Sequence, residues 1–171
     1  GLGARHNILI KDAATLEGLS RIQTVILDKT GTLTEGKPRV TDTIPAPGAS
    51  AGDWLPLAAS LAGESTHPLS QAVAASVEAP AGTPRRPVAE AVNLPGKGMR
   101  GLVDGTRVLL GSAALLEGEG INPAPLAAQR ERLATAGRSL VYVAAGGRLL
   151  GLIGVADAVR PSSREAITEL R

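Results

Sequence analysis

The spacing of apolar residues changes several times along the chain, and each change marks a predicted element. Val25-Ile26-Leu27 is a short aliphatic run that reads as a buried strand delivering Asp28 at its carboxyl end. Ahead of it, Ile8-Leu9-Ile10-Lys11 is a short apolar segment, and Ala13 to Leu19 reads as a helix stopping near Gly18. Alternation over Arg39-Val40-Thr41-Asp42-Thr43-Ile44, punctuated by Pro38 before and Pro45 after, predicts a strand. Leu55, Leu57, Ala58, Leu61 and Ala62 predict a helix from Asp53 to Gly63. Leu69, Ala72, Val73 and Val77 predict the next one, with Pro68 at the first helical position, where its missing N–H costs nothing. His67 then caps that helix while its ring can face a cleft.

The second half alternates faster. Glu78 to Pro87, rich in Pro, Ala, Gly and Arg, reads as a loop. Val88 to Leu94 alternates loosely, Pro95 to Gly101 reads as a glycine turn, and Leu102 to Leu110 reads as a hairpin bending at Asp104-Gly105. The Gly96-x-Gly98-x-x-Gly101 pattern would suggest a dinucleotide loop only if a helix followed it, so the hairpin disfavours that reading. Ser112 is a good N-cap for a helix over Ala113 to Leu116, and Pro125 to Ala136 predicts another, stopped by Gly137. Leu140 to Ala145 and Leu149 to Val155, joined at Gly146-Gly147, read as a hairpin with Tyr142 in the core. The strand then ends near Asp157, and Arg160-Pro161 opens a helix over Ser162 to Arg171.

Composition narrows the function classes. With 171 residues the chain can form one or two domains, and 43% of them are apolar. There is no Phe, and the aromatics are Trp54 and Tyr142, so the core is aliphatic and a base-stacking nucleic-acid surface is not expected. Lys and Arg exceed Asp and Glu by only 18 to 16, which gives no reason to expect a polyanion partner. Absence of Cys excludes a disulfide scaffold and Cys-based metal sites within these residues. No apolar run approaches the roughly 20 residues of a membrane helix, so the polypeptide is expected to be soluble.

Asp28-Lys29-Thr30-Gly31-Thr32-Leu33-Thr34 carries the chemistry. A carboxylate at a strand's carboxyl end, followed by a cation, hydroxyls and a glycine, is placed to attack a phosphoryl group and carry it as an acyl phosphate. The alternative is a plain strand-to-turn with Asp28 capping a loop. The string matches the phosphorylation signature of the P-type ATPases, and the chain resembles their heavy-metal-transporting branch, the copper or zinc and cadmium class. Glu64 and His67-Pro68-Leu69 resemble that family's ATP-site motif, Gly96-x-Gly98 its nucleotide loop, and Gly111-Ser112 a Gly-Asn pair. Asp157 with Arg160-Pro161 resembles its return into the phosphorylation domain.

The resemblance implies a catalytic Asp28 supported by Lys29 and Thr30, and nucleotide binding by Glu64, His67, Gly96, Gly98, Gly111 and Ser112. Ser112 departs from the family's Asn, which puts that contact in question, and capping alone explains it. Thr30 stands where related phosphatases carry a second Asp as general acid; a hydroxyl cannot replace it near neutral pH, so the aspartyl phosphate should persist. Implied ligands are ATP and Mg²⁺, the latter at an incomplete site of Asp28 and Thr30. The implied architecture is α/β. Residues 1–36 are a linker helix and the start of a Rossmann-like, haloacid-dehalogenase-type phosphorylation domain. Residues 37–155 are an inserted nucleotide-binding domain with a twisted antiparallel sheet flanked by helices, and residues 156–171 are the return. Pro38 and Asp157 are the implied hinges. The implied setting is the cytoplasmic side of a membrane pump, partnered by its membrane and actuator domains, with the transported metal bound elsewhere. Later family motifs are expected beyond Arg171, so little or no ATP turnover is expected of this stretch alone. The competing readings are a soluble phosphatase with a cap domain and a non-catalytic nucleotide-binding module.

Overall fold

Six runs of the chain pair into one antiparallel sheet, in which three inner strands bury side chains on both faces while the two edge strands stay half-buried or exposed. In the computed structural model, which describes residues 8–10, 12–19, 21–77 and 85–170, the strands are β1 (Arg39–Pro45), β2 (Val88–Leu94), β3 (Gly98–Val103), β4 (Thr106–Gly111), β5 (Ser139–Ala145) and β6 (Arg148–Ala156). Their order across the sheet is β1-β6-β5-β4-β3-β2, so the first strand closes against the last. Three of the connections are tight hairpins. The β3–β4 turn places Asp104 and Gly105 at φ 49 and 73, and the β5–β6 turn places Gly146 and Gly147 at φ 56 and 76. Two successive positive φ values match the twist of the flanking strands, which is why Asp-Gly and Gly-Gly occupy these turns.

Alternation assigns each strand residue to a face. On one face Val108, Leu110, Val141, Val143, Ile153 and Val155 pack against α2 (Ala51–Ala62) and α3 (Pro68–Ala75), with Trp54, Leu61 and Val73 supplied by the helices. On the other, Leu109, Tyr142, Ala144 and Leu152 pack against α4 (Ala113–Gly118) and α5 (Ala127–Thr135), through Leu115, Leu116 and Leu133. Burial on both faces explains why β5 and β6 read as near-continuous apolar runs. Trp54 lies against the sheet where Gly151 has no side chain; a Cβ there would overlap the indole Cζ2 and stand 2.8 Å from the Ile44 carbonyl oxygen.

Several elements differ from the sequence reading. Val25, Ile26 and Leu27 do not form a buried strand: residues 22–28 have no regular structure, and these three are 52%, 93% and 42% exposed. No strand among the described residues pairs with them, and an apolar run without a partner for its backbone groups has no sheet to join. The glycine turn is shorter than expected, because Gly98 to Gly101 already belong to β3. The helix expected at Pro125 starts as a 3₁₀ turn, Ala124–Leu126, and becomes α-helical at Ala127. α1 (Ala13–Leu19) and α6 (Pro161–Glu169) form as expected. The opening of the linker at residues 1–7 and 11, most of the 78–87 loop, and Arg171 lie outside the described residues.

Gly151→Ala should therefore destabilise the chain by about 2 kcal/mol, because the added methyl must displace either the indole or a strand carbonyl. Chemical denaturation of the two proteins, compared at equal m-value, measures it.

Candidate functional site

The connection from α2 to α3 is organised by Ser65. Its side chain is buried, and its Oγ accepts from the His67 N–H at 3.2 Å. Its carbonyl accepts from the Gln71 side-chain amide, and its own N–H donates to Ala62 at 3.2 Å. These bonds hold His67 in extended conformation, where its Nδ1 accepts from the Leu69 N–H at 3.2 Å and caps α3. Because Nδ1 is spent as an acceptor, the neutral ring carries its proton on Nε2, which is left to donate outward.

A second wall comes from the β2–β3 connection. Leu94-Pro95-Gly96-Lys97 is a turn in which the Lys97 N–H donates to the Leu94 carbonyl at 3.0 Å and Gly96 takes φ 71. Proline second and glycine third suit that turn, since its third residue must have positive φ. The Lys97 carbonyl accepts from the Ser112 N–H at 2.7 Å. Next to it, Gly98 pairs with Gly111 across β3 and β4. A Cβ on Gly98 would run into the Leu110 carbonyl and the Gly111 Cα, and one on Gly111 would run into the Lys97 carbonyl. Ser112 caps α4, its Oγ accepting from the Leu115 N–H at 3.3 Å.

Between the two walls is a cavity of 530 Å³, a size that suits a nucleotide-like ligand. Buried Val73, Met99 and Leu110 line its apolar part, and the more exposed Thr66, His67, Ser70, Asn93, Lys97 and Ser112 line its polar part. Of the residues singled out from sequence, His67, Gly96, Gly98, Gly111 and Ser112 meet here. Glu64 does not line the cavity; it is exposed on the turn between Ala62 and Ser65, which do. Among the described residues the ionisable side chains of the lining are His67 and Lys97, with no carboxylate.

Asp28, Lys29 and Thr30 are not among the lining residues. Asp28 and Lys29 are exposed, and the side chain of Thr30 lies outside what is described. The motif turns through a π-helical segment, Lys29–Leu33, and its last residue, Thr34, is buried. Thr34 ties the motif to the far end of the chain. Its Oγ1 donates to Asp157 Oδ2 at 2.5 Å while accepting from the Gly31 N–H at 3.1 Å. Asp157 also accepts from the N–H groups of Gly36 at 3.1 Å and Lys37 at 3.0 Å, just before the half-buried Pro38. Arg160 completes the clasp from its Nε to the Thr34 carbonyl at 2.9 Å. The Thr34 hydroxyl, with the Lys37 and Gly36 N–H groups and the Arg160 charge, holds the Asp157 carboxyl below its ordinary range against a smaller desolvation effect.

Among the described residues no group of three His, Cys, Asp or Glu could hold a metal ion. Asp28 offers one carboxylate, so a magnesium site is not built by these residues alone. Sequence reasoning missed Ser65, Gln71, Asn93 and Lys97. A serine two residues before a capping His is a visible local-turn signal, and a lysine flanked by two glycines was open to notice. The Gln71 contact depends on the α3 backbone and had no local signal.

Residues 22–171 match the family described as haloacid dehalogenase-like hydrolase. A copper-transporting P-type ATPase of Rhizobium leguminosarum bv. viciae is 43% identical over 170 residues, covering 99% of this chain and 20% of that protein. A zinc-exporting P-type ATPase of Mycobacterium marinum is 40% identical over 181 residues, covering 100% of this chain and 24% of that protein. The crystal structure of a zinc-transporting PIB-type ATPase in its E2.Pi state superposes with TM-score 0.73 at 38% identity, over 98% of this chain and 27% of the other. The N-domain of a copper-transporting P-type ATPase superposes with TM-score 0.57 at 25% identity, over 70% of this chain and 99% of that domain. The chain thus spans about a fifth to a quarter of the length of the curated relatives it matches.

The Asp157 clasp gives a pH prediction. A carboxyl whose folded pKa is lowered stabilises the fold fully above the unfolded value, about 3.9, and loses that contribution as pH falls through the lower folded value. Asp157→Asn should therefore be less stable than the parent at pH 6, and the gap should close toward pH 3. Denaturant midpoints of both proteins across that range measure it.

Proposed function

The chain belongs to the haloacid dehalogenase-like hydrolases, and on that premise we propose that it is the ATP-binding and phosphoryl-accepting region of a heavy-metal-transporting P-type ATPase. The observation that carries the proposal is the cavity. His67, Gly96, Gly98, Gly111 and Ser112 come from three separate connections, yet they line one pocket with an apolar side for a base and, among the described residues, no carboxylate to repel phosphates. The likeness to copper- and zinc-transporting ATPases along the whole chain supports the same reading.

In this reading the residues have distinct tasks. Val73, Met99 and Leu110 bury the base, and Nε2 of His67 donates to the nucleotide. Glu64, on the turn beside the pocket, reaches the ligand when the pocket is filled, and Ser112 serves chiefly as the α4 cap. Asp28 is the acceptor: one carboxylate oxygen attacks the terminal phosphorus, a P–O bond to Asp28 forms, the bond to the bridging oxygen breaks, and ADP leaves with that electron pair. Lys29 and Thr30 flank the acceptor. With Thr30 where a hydrolytic relative needs a second carboxylic acid, the acyl phosphate is long-lived.

The clasp supports a lobe boundary at the place the sequence resemblance implies. We place the nucleotide-binding domain at residues 37–155, between the segments that Thr34, Gly36 and Lys37 join to Asp157, with residues 1–36 and 156–171 belonging to the phosphorylation domain. Pro38 and Asp157 then sit at the two crossings, where the domain pivots. No helix among the described residues is long and apolar enough to cross a membrane. Membrane and actuator domains, the transported copper or zinc, and a position on the cytoplasmic side of the cell membrane are all assigned to the parent pump. Mg²⁺ is assigned to Asp28 and Thr30 together with carboxylates from outside the described residues.

One observation favours the non-catalytic reading for this stretch by itself: the segment delivering Asp28 is exposed and unpaired, so the acceptor is not held for in-line attack. Calorimetry of the chain with ATP should give saturable binding, and His67→Ala should weaken it about tenfold or more, through the lost donor and the uncapped α3. Incubation with labelled Mg-ATP and acid quench should leave no appreciable phosphate on Asp28. Absence of ATP binding contradicts the proposal, and rapid hydrolysis of small phosphate esters would favour a phosphatase instead.

A further inference from the structure

We propose that Lys97 is the residue by which this cavity selects for the phosphate chain of its nucleotide over the nucleoside alone. The inference rests on the ATP-binding reading above and adds a residue that reading does not use. Lys97 is the side chain between two bare positions, Gly96 and Gly98, and all three line the cavity. Its backbone is fixed on both sides, through its N–H to Leu94 at 3.0 Å and its carbonyl to the Ser112 N–H at 2.7 Å. The root of the side chain is therefore set by the fold, and the residue is exposed where it lines the cavity.

Charge bookkeeping points the same way. Four arginines, Arg86, Arg100, Arg107 and Arg138, face acidic partners at 4 Å or less. Lys97 has no such partner among the described residues, and the cavity lining contains no carboxylate that could take its charge. An unpaired ammonium on a rigid turn, beside an apolar pocket sized for a base, is complementary to a ligand that is apolar at one end and polyanionic at the other. Lysine suits phosphate as a compact point charge with three donors, and it tolerates the range of oxygen positions that a phosphate chain presents. Because the residue is exposed, the contribution is modest and screened by salt.

The test is calorimetric titration of the full chain with ATP and, separately, with adenosine, for the parent, Lys97→Met and Lys97→Arg. At low salt Lys97→Met should lose about twofold to fivefold in affinity for ATP, keep the parent's affinity for adenosine, and show a flatter salt dependence. Lys97→Arg should retain most of the ATP affinity. ATP affinity unchanged in Lys97→Met, with both ligands still bound by the parent, overturns the role of Lys97 and leaves the ATP-site reading standing. Equal losses for ATP and adenosine also overturn it, since they mark a change in pocket shape. Failure of the parent to bind either ligand overturns the ATP-site reading itself.

Discussion

Two glycines facing each other across neighbouring strands set the shape of the candidate site. Gly98 and Gly111 approach so closely that a methyl group on either would enter the backbone around the other, so the start of β3 and the end of β4 draw together. That approach lets the Lys97 carbonyl receive the Ser112 N–H, which fixes where the preceding turn ends and where α4 begins. One wall of the cavity is thereby built from backbone, with few side chains to fill it. The other wall is built by Ser65 and His67, whose hydrogen bonds turn the chain from α2 into α3.

The lobe holding this cavity is closed at its base by a different device. The chain enters at Thr34 to Lys37 and leaves at Asp157 to Arg160, and one carboxylate receives donors from three residues of the incoming segment, just ahead of β1. An isolated antiparallel bridge between Thr34 and Val159 adds a backbone contact at the same place. The two crossings are thereby tied to each other by side-chain and backbone hydrogen bonds.

Much of the sheet and its helices was legible in the sequence because their signals are local. Alternation over residues 39–44, the Asp104-Gly105 and Gly146-Gly147 turns, and the Pro68 and Ser112 helix starts each depend on neighbours within a few residues. Val25 to Leu27 misled for the converse reason: an apolar run states that burial is favourable but not which strand will pair with it. The reasons for Gly98 and Gly111 were hidden as well. Gly98 was readable as part of a nucleotide loop and Gly111 as part of a Gly-Asn-like pair, whereas the contact that accounts for each missing side chain is with the backbone around the other glycine. Thr34 and Asp157 are 123 positions apart, and only the β1–β6 pairing brings them together. For the site, the motif order located five of the cavity's lining residues, while Asn93 became visible only once the strands had been placed.

An amide-resolved NMR titration of the chain with ATP tests the central claim most directly. The account predicts shifts concentrated at His67 and Leu69, at Gly96 to Gly98, and at Gly111 and Ser112, with the sheet surface around Arg100, Arg107 and Glu119 unchanged. Shifts confined to that second surface, or no saturable shifts at the glycine turn and the α3 start, would contradict it.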